Sequence, residues 1–295
     1  MLLKYLINMD RKTKIIATVG PSLSSESKIK KIIDAGANVL RINFSHGTLE
    51  DHENVISWAR KSNKQVAIMQ DIQGPKIRTG ISSENTFLEK SKNVNLTNIE
   101  TESNNDIIFI NYENLLRDVN VDERVFIDDG QIVLKVVEKE NDKLEALILI
   151  GGELRDNQGV AFPDSNLSVS AITEKDKEHL KFGSEHDVDF VAVSFVRNAS
   201  DINLVKEIIP KDVKVIAKIE LKTALDNIDE ILDVADGVMV ARGDLGVQLP
   251  LEQVPFVQKQ ILDAANKRGK ISITATEMLQ SMKTSYRPTR AEVTD

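Results

Sequence analysis

The chain has 295 residues, a net charge of −8, no cysteine and 41% hydrophobic residues. That length fits one large domain or a domain carrying an insert, and the apolar content is too high for a disordered chain. Without cysteine, a disulfide framework and a thiolate metal site are excluded; an acidic chain with no basic tract argues against nucleic acid or a membrane surface as partner.

Residues 1–8 (MLLKYLIN) are apolar. They are far shorter than the roughly 20 residues of a membrane span and lack a small-residue cleavage site, so the expected location is cytoplasmic. Short β-branched runs then alternate with segments of helical period. Residues 14–19 read as a strand, and 25–35 as a helix ended by Gly36, the usual place for a left-handed cap. Residues 38–44 form the next strand. Thr48 and Asp51 have the spacing of a capping box for a helix running to Lys61. Residues 65–71 are the third strand.

From about Arg78 to Phe162 the chain is rich in Asn, Asp, Lys and Ser and shows strands without long helices. Two apolar runs within 124–135 flank Asp129-Gly130, a hairpin signal. A further alternating run at 144–150 ends in Gly151-Gly152. This region reads as a small β-domain inserted after the third strand. The alternation resumes with strands at 188–195, 213–220, 237–242 and 270–274. The seven strands contain Ile16, Ile42, Ile68, Val193, Ile216, Val240 and Ile273. They predict parallel pairing, either a barrel or a doubly wound sheet.

Polar residues collect at the C-terminal strand ends. Side chains two apart share a face of a strand, which groups Arg41 with Asn43 and Ser45, Lys218 with Glu220, and Arg242 with Asp244. Asp71 closes the third strand, and Thr274 and Thr276 close the last. That rim is where parallel α/β folds bind ligands. Glu220 and Asp244 could be no more than structural partners of Lys218 and Arg242, but five strands ending this way argue for a site. Two carboxylates without a His or Cys cluster suit Mg²⁺ or Mn²⁺. Arg41, Lys218 and Arg78 suit phosphate or a developing anion. Gly243 and Gly246 flank a turn into 248–252 that could aim N–H groups at a carboxylate or phosphate. His46 lies in the rim segment; His52, His179 and His186 read as ordinary helix or loop residues, and Trp58 as core. Neither GxxxxGK[ST] nor GxGxxG occurs, which excludes P-loop and dinucleotide chemistry.

The motifs TKIIATVGP (13–21), LRINFSHG (40–47), DIQGPKIRTG (71–80), IAKIE (216–220), VMVARGDLG (238–246), TEMLQSM (276–282) and RPTRAE (287–292) stand in the order found in pyruvate kinases. The chain resembles that family from about Thr13 onward. The resemblance implies a TIM-type (β/α)₈ barrel, lacking its last strand in this chain, with a small β-barrel domain inserted after strand 3. Residues 1–77 and 164–295 would form the barrel domain and 78–163 the lid. It implies phosphoryl transfer from phosphoenolpyruvate to ADP, giving pyruvate and ATP. Glu220 and Asp244 would hold Mg²⁺ or Mn²⁺; Lys218, Arg41 and Thr276 would be catalytic; Gly243, Asp244, Thr276 and Lys218 would bind substrate. Asn43, Ser45, Asp71 and Ile72 match the family's monovalent-cation pocket, and His46 and Arg78 its nucleotide side.

Relatives that depend on K⁺ usually carry Glu where this chain has Lys76, so Lys76 is expected to replace the cation and K⁺ not to be required. Glu277 stands where Gln is usual, Asn198 where Lys is frequent, and Ser168 where Asp is usual. The full-length relatives are expected to be homotetramers, and this chain to be a fragment or to need a partner for closure. The rival readings are a metal-dependent pyruvate or enolate aldolase–lyase on the same barrel, and a truncated or degenerate relative that only binds ligand.

Overall fold

The computed structural model describes residues 12–62, 65–276 and 278–294; the apolar opening at 1–8 and Glu277 lie outside them. β1 (Ile16–Thr18) leads through α1 (Glu26–Asp34) to β2 (Val39–Asn43), and α2 (Leu49–Arg60) leads to β3 (Ala67–Ile72). Gly36 takes φ +112°, ending α1 as its position predicts. Thr48 caps α2 reciprocally with Asp51: the Asp51 N–H donates to Thr48 Oγ1 (3.2 Å), and the Thr48 N–H to Asp51 Oδ2 (2.9 Å).

A second body of sheet follows β3: β4 (Phe87–Leu88), β5 (Asn93–Thr97), β6 (Ile107–Phe109), the short helix α3 (Leu115–Asp118), β7 (Arg124–Ile127), β8 (Ile132–Lys139), β9 (Leu144–Ile150), β10 (Gly152–Glu153) and β11 (Val160–Ala161). Six of these strands pair in the order β11-β7-β8-β9-β5-β6, and β10 pairs with β4. They enclose a core of their own, including Leu96, Ile108, Leu134 and Ile148. The expected hairpin is β7–β8, with Ile127 facing Ile132. Its loop takes three consecutive left-handed residues, Asp128, Asp129 and Gly130.

Gly151 is fixed by close backbone approach: a Cβ there would lie 2.0 Å from the Leu88 carbonyl oxygen. Because that neighbour is backbone, Gly151→Ala should destabilise the protein by about 2 kcal/mol through overpacking. Urea denaturation checks this, and an unchanged midpoint would show that β4 and β10 separate freely.

The chain returns through α4 (Glu174–Glu185), β12 (Phe190–Val193), α5 (Ala199–Lys206), β13 (Lys214–Ile219), α6 (Lys222–Asp226), α7 (Ile228–Val234), β14 (Gly237–Ala241), α8 (Arg242–Gln248), α9 (Val254–Lys267), β15 (Ile271–Ala275) and α10 (Arg290–Thr294). The seven expected parallel strands form one curled sheet in chain order, β1-β2-β3-β12-β13-β14-β15. Alternate residues serve its two faces. Leu40, Ile42, Val215, Ala217 and Ile219 join Ile29, Ile33, Ile56, Leu180 and Ile231 from the helices in the main core. On the other face a layer built from Met69, Ala192, Ile216 and Met239 packs with Ile16, Val39 and Ile273, so every strand contributes. Two residues further along the first five strands of the sheet, that face carries Thr18, Arg41, Asp71, Ser194 and Lys218. The functional groups therefore stand directly above an apolar floor, at the C-terminal ends of the strands.

Candidate active site

Four charged side chains in mutual contact, Arg41, Asp71, Lys218 and Glu220, make the centre of the site, with Asp244 nearby. Arg41 Nε donates to Asp71 Oδ2 (2.6 Å), and its Nη1 to Thr18 Oγ1 (3.0 Å). Lys218 Nζ lies 2.8 Å from Glu220 Oε1, 3.3 Å from Asp71 Oδ1 and 2.8 Å from Ser194 Oγ. Glu220 Oε2 accepts the Phe195 N–H (2.7 Å). Asp71, Glu220 and Lys218 are all buried. Lys218 and Glu220 do share a face, as their spacing predicts, and Asn43 pairs with Asp71 in the β2–β3 ladder. Asn43 Oδ1 accepts the Ser45 N–H (3.1 Å), and the Ile72 carbonyl accepts the Ser194 hydroxyl (2.7 Å).

The electrostatics have one sign. Burial works against the Lys218 ammonium, but Glu220 and Asp71 outweigh it, so Lys218 holds its proton more tightly than a free lysine. Complete burial raises the proton affinity of Glu220, and Asp244 adds to the effect while Lys218 opposes it. Lys218 thus holds its proton through Glu220 and Asp71, and Glu220 holds its own chiefly through burial; around them the carboxylates Asp71, Glu220 and Asp244 outnumber the cations Arg41 and Lys218. A site with that imbalance favours a further cation.

Glu220 and Asp244 both line a cavity of about 400 Å³. Lys76, Phe162, Arg197 and Lys222 are also on its wall. Among the described residues no cluster of three or more His, Asp or Glu side chains is placed to hold a metal. Two carboxylates nonetheless fit Mg²⁺, which is commonly held by one or two carboxylates together with substrate phosphates and water.

The pairing of Arg242 with Asp244 on one strand face is corrected. β14 ends at Ala241, and Arg242 to Gln248 is helical. At 3.6 residues per turn, positions two apart point to nearly opposite sides of a helix. Arg242 is buried and turns to the last strand, where Nε donates to the Ala275 carbonyl (3.1 Å) and Nη2 to that of Thr276. Asp244 turns to the cavity. The turn expected between Gly243 and Gly246 is likewise this helix, and the Gly243 N–H donates to Thr276 Oγ1 (3.0 Å). Thr276 has φ +64°, an uncommon conformation for a β-branched residue, and Arg242 and Gly243 hold it on both its carbonyl and its hydroxyl.

The remaining expected residues are more dispersed. Lys76 is exposed, and the cations against Asp71 are Arg41 and Lys218. His46 is an exposed residue of the loop after β2. Arg78 turns to the second sheet, where Nη1 donates to the Asn157 carbonyl (2.7 Å). His52 and His179 are helical, as read, and are buried against Phe44, with ring centroids 4.1 and 5.1 Å from it. Trp58 packs on the main core.

With this geometry established, the family model described as "Pyruvate kinase, barrel domain" matches residues 10–295. The chain belongs to the pyruvate kinase family. It is 45% identical to the pyruvate kinases of Staphylococcus aureus strains MRSA252, USA300 and NCTC 8325, over 97% of this chain and 50% of each relative. The chain thus spans about half the length of the curated relatives it matches.

Two departures from the family pattern have a structural account. Asn198 caps α5, its Oδ1 accepting the N–H groups of Ser200 (3.0 Å) and Asp201 (3.3 Å). The Ser168 N–H and hydroxyl both donate to Asp118 Oδ2 (2.7 Å each) and tie the returning chain to α3. Reading motifs for the family missed Ser194 and the Phe195 N–H. Their signal was present: Ser194 is a polar residue at the end of the apolar run FVAV, two positions beyond Ala192.

Proposed function

We propose that the chain is the catalytic portion of a phosphotransferase that moves the phosphoryl group of phosphoenolpyruvate to ADP, giving pyruvate and ATP. The observation that carries this reading is the Lys218 ammonium, held between Glu220 and Asp71 on a net negative site that opens on a cavity also lined by Asp244. Phosphoryl transfer depends mainly on positioning and neutralisation of charge, and this cluster is built for both.

Residues 1–77 and 164–295 make the barrel domain in this reading, and 78–163 a lid over the cavity. Glu220 and Asp244 hold Mg²⁺ or Mn²⁺, which supplies positive charge to the phosphoryl oxygens. Lys218 and Arg41 face the phosphoryl group as its bond to the enol oxygen breaks and an ADP phosphate oxygen takes it up. Lys218 also balances the enolate that remains until it is protonated on carbon. Gly243, Asp244 and Thr276 receive the carboxylate of pyruvate, and His46 and Arg78 lie toward the nucleotide. Asn43, Ser45, Asp71 and Ile72 form the monovalent-cation pocket, with Lys76 supplying a fixed positive charge so that K⁺ is not required. In this reading the protein works in the cytoplasm, and its full-length relatives are homotetramers. No helix among the described residues is long and apolar enough to cross a membrane.

Calorimetric titration of the chain with phosphoenolpyruvate in the presence of Mg²⁺ should give saturable binding that is indifferent to added K⁺. Lys76→Glu should make that binding depend on K⁺. Silence in the first titration would sink the reading; a K⁺ requirement in the parent would sink the role of Lys76 alone.

A further inference from the structure

We propose that Ser194 positions Lys218, and that the turn Ser194–Phe195 sets the lysine ammonium and the Glu220 carboxylate in one fixed relation. The inference rests on the proposed phosphoryl transfer for its catalytic meaning, but its geometry stands by itself.

Ser194 is buried at the end of β12, with 3% of its surface exposed. A hydroxyl has one proton to donate. Here it goes to the Ile72 carbonyl at 2.7 Å; Asp71 Oδ1, at 3.5 Å, is the more distant acceptor. The oxygen lone pairs are left facing Lys218 Nζ at 2.8 Å. The ammonium has three N–H bonds, and three oxygens surround it: Ser194 Oγ, Glu220 Oε1 and Asp71 Oδ1. Ser194 is the neutral one of the three. Its hold on Nζ does not change when a carboxylate takes a proton or a cation, so it can keep the amine in place while charge around it shifts.

The next residue serves the opposite charge. Phe195 has φ +54°, and this left-handed turn aims its N–H at Glu220 Oε2 (2.7 Å). The turn is gripped from behind by Gly74, which also has a left-handed backbone. A Cβ on Gly74 would lie 3.0 Å from Phe195 Cδ2 and 3.3 Å from both Ser194 Cβ and the Ser194 carbonyl oxygen. A side chain there would be strained by the left-handed backbone and would force the Phe195 ring and Ser194 to give by a few tenths of an ångström. Two consecutive residues thus seat the ammonium and the carboxylate, and a glycine packs closely behind both.

The test uses the 295-residue chain with ¹⁵N-labelled lysine. The Lys218 ammonium signal is identified by its loss in Lys218→Met. Ser194→Ala should speed its hydrogen exchange roughly tenfold or more, the factor expected for losing a hydrogen bond to a charged group. Ser194→Thr, which keeps the hydroxyl, should leave exchange close to that of the parent. In a pyruvate-formation assay the alanine variant should lose kcat by a similar factor with KM for phosphoenolpyruvate little changed, and threonine should restore it. Unfolding midpoints of both variants show whether either change is merely a loss of stability. Unchanged Lys218 exchange in Ser194→Ala would overturn the proposal while the functional reading survived. If exchange responds but the parent neither binds phosphoenolpyruvate nor forms pyruvate, the functional reading falls, and with it the catalytic meaning of the contact.

Discussion

Replacing Lys218 by methionine should produce a protein whose deficit in stability shrinks as the pH falls. In the parent, Lys218 faces two buried carboxylates, Glu220 at 2.8 Å and Asp71 at 3.3 Å. Removing one partner of a buried ion pair leaves the other charge uncompensated and costs about 3–5 kcal/mol. Methionine fills much the same space, so little of the loss should come from a cavity. Glu220 already holds its proton more tightly than a free carboxylate because it is buried and near Asp244; Lys218 foremost, with the Phe195 N–H, opposes this. Without Lys218 its folded-state pKa must rise further.

A carboxyl whose pKa is higher folded than unfolded binds more protons in the folded state, so stability falls as pH rises through that window. The penalty from Glu220 is absent below the ordinary carboxylate pKa and complete above its raised folded value. The difference in unfolding free energy between variant and parent, from urea denaturation at a series of pH values, should therefore narrow on acidification. Taking the difference removes titrations common to both proteins. A gap that stays constant or widens toward low pH would show that Lys218 is not what balances these carboxylates.

Glu220→Gln should cost the site its affinity for divalent cations. Both carboxylate oxygens are acceptors in the parent, one for Lys218 Nζ and the other for the Phe195 N–H. An amide has one acceptor oxygen and one NH₂ group, so one of those donors must meet another donor. The substitution also removes one of the three negative charges that outnumber Arg41 and Lys218. Mn²⁺ affinity, followed by the spectrum of the free ion, should fall by at least the roughly tenfold to hundredfold that loss of a supporting group costs a metal site. The thermal midpoint must be recorded alongside, because the same change unsettles a buried pair. Unaltered Mn²⁺ affinity in a folded variant would remove Glu220 from the metal site and leave it as a structural partner of Lys218.

The fold was legible to the extent that it is written in short-range periods. The seven parallel strands are short β-branched runs because strands covered on both faces need apolar residues at nearly every position. The pair Thr48 and Asp51 marked a helix start because a capping box is complete within four residues. Lys218 and Glu220 could be placed on one face because alternation along a strand is fixed by covalent geometry. Recognition of the family then rested on whole motifs and reached further than these periods.

Tertiary structure decided the rest, and Arg242 shows why. The segment ARGDLG carries two glycines, poor helix formers, so nothing local announces that the strand stops at Ala241. What selects the helix lies more than thirty residues away, where Arg242 meets the Ala275 and Thr276 carbonyls and the Gly243 N–H meets Thr276 Oγ1. Once the helix begins, Arg242 and Asp244 are forced apart. Ser194 is the same case in a strand. Its two partners, Ile72 and Lys218, are 122 and 24 residues distant, and a hydroxyl's preference for one acceptor over another has no expression in local sequence. The sequence by itself determined the strands, their faces and the residues that carry charge. Which of those charges meet, and which neutral groups hold them, was settled only when the sheet curled, because hydrogen bonds and ion pairs depend on distances that chain periodicity does not set.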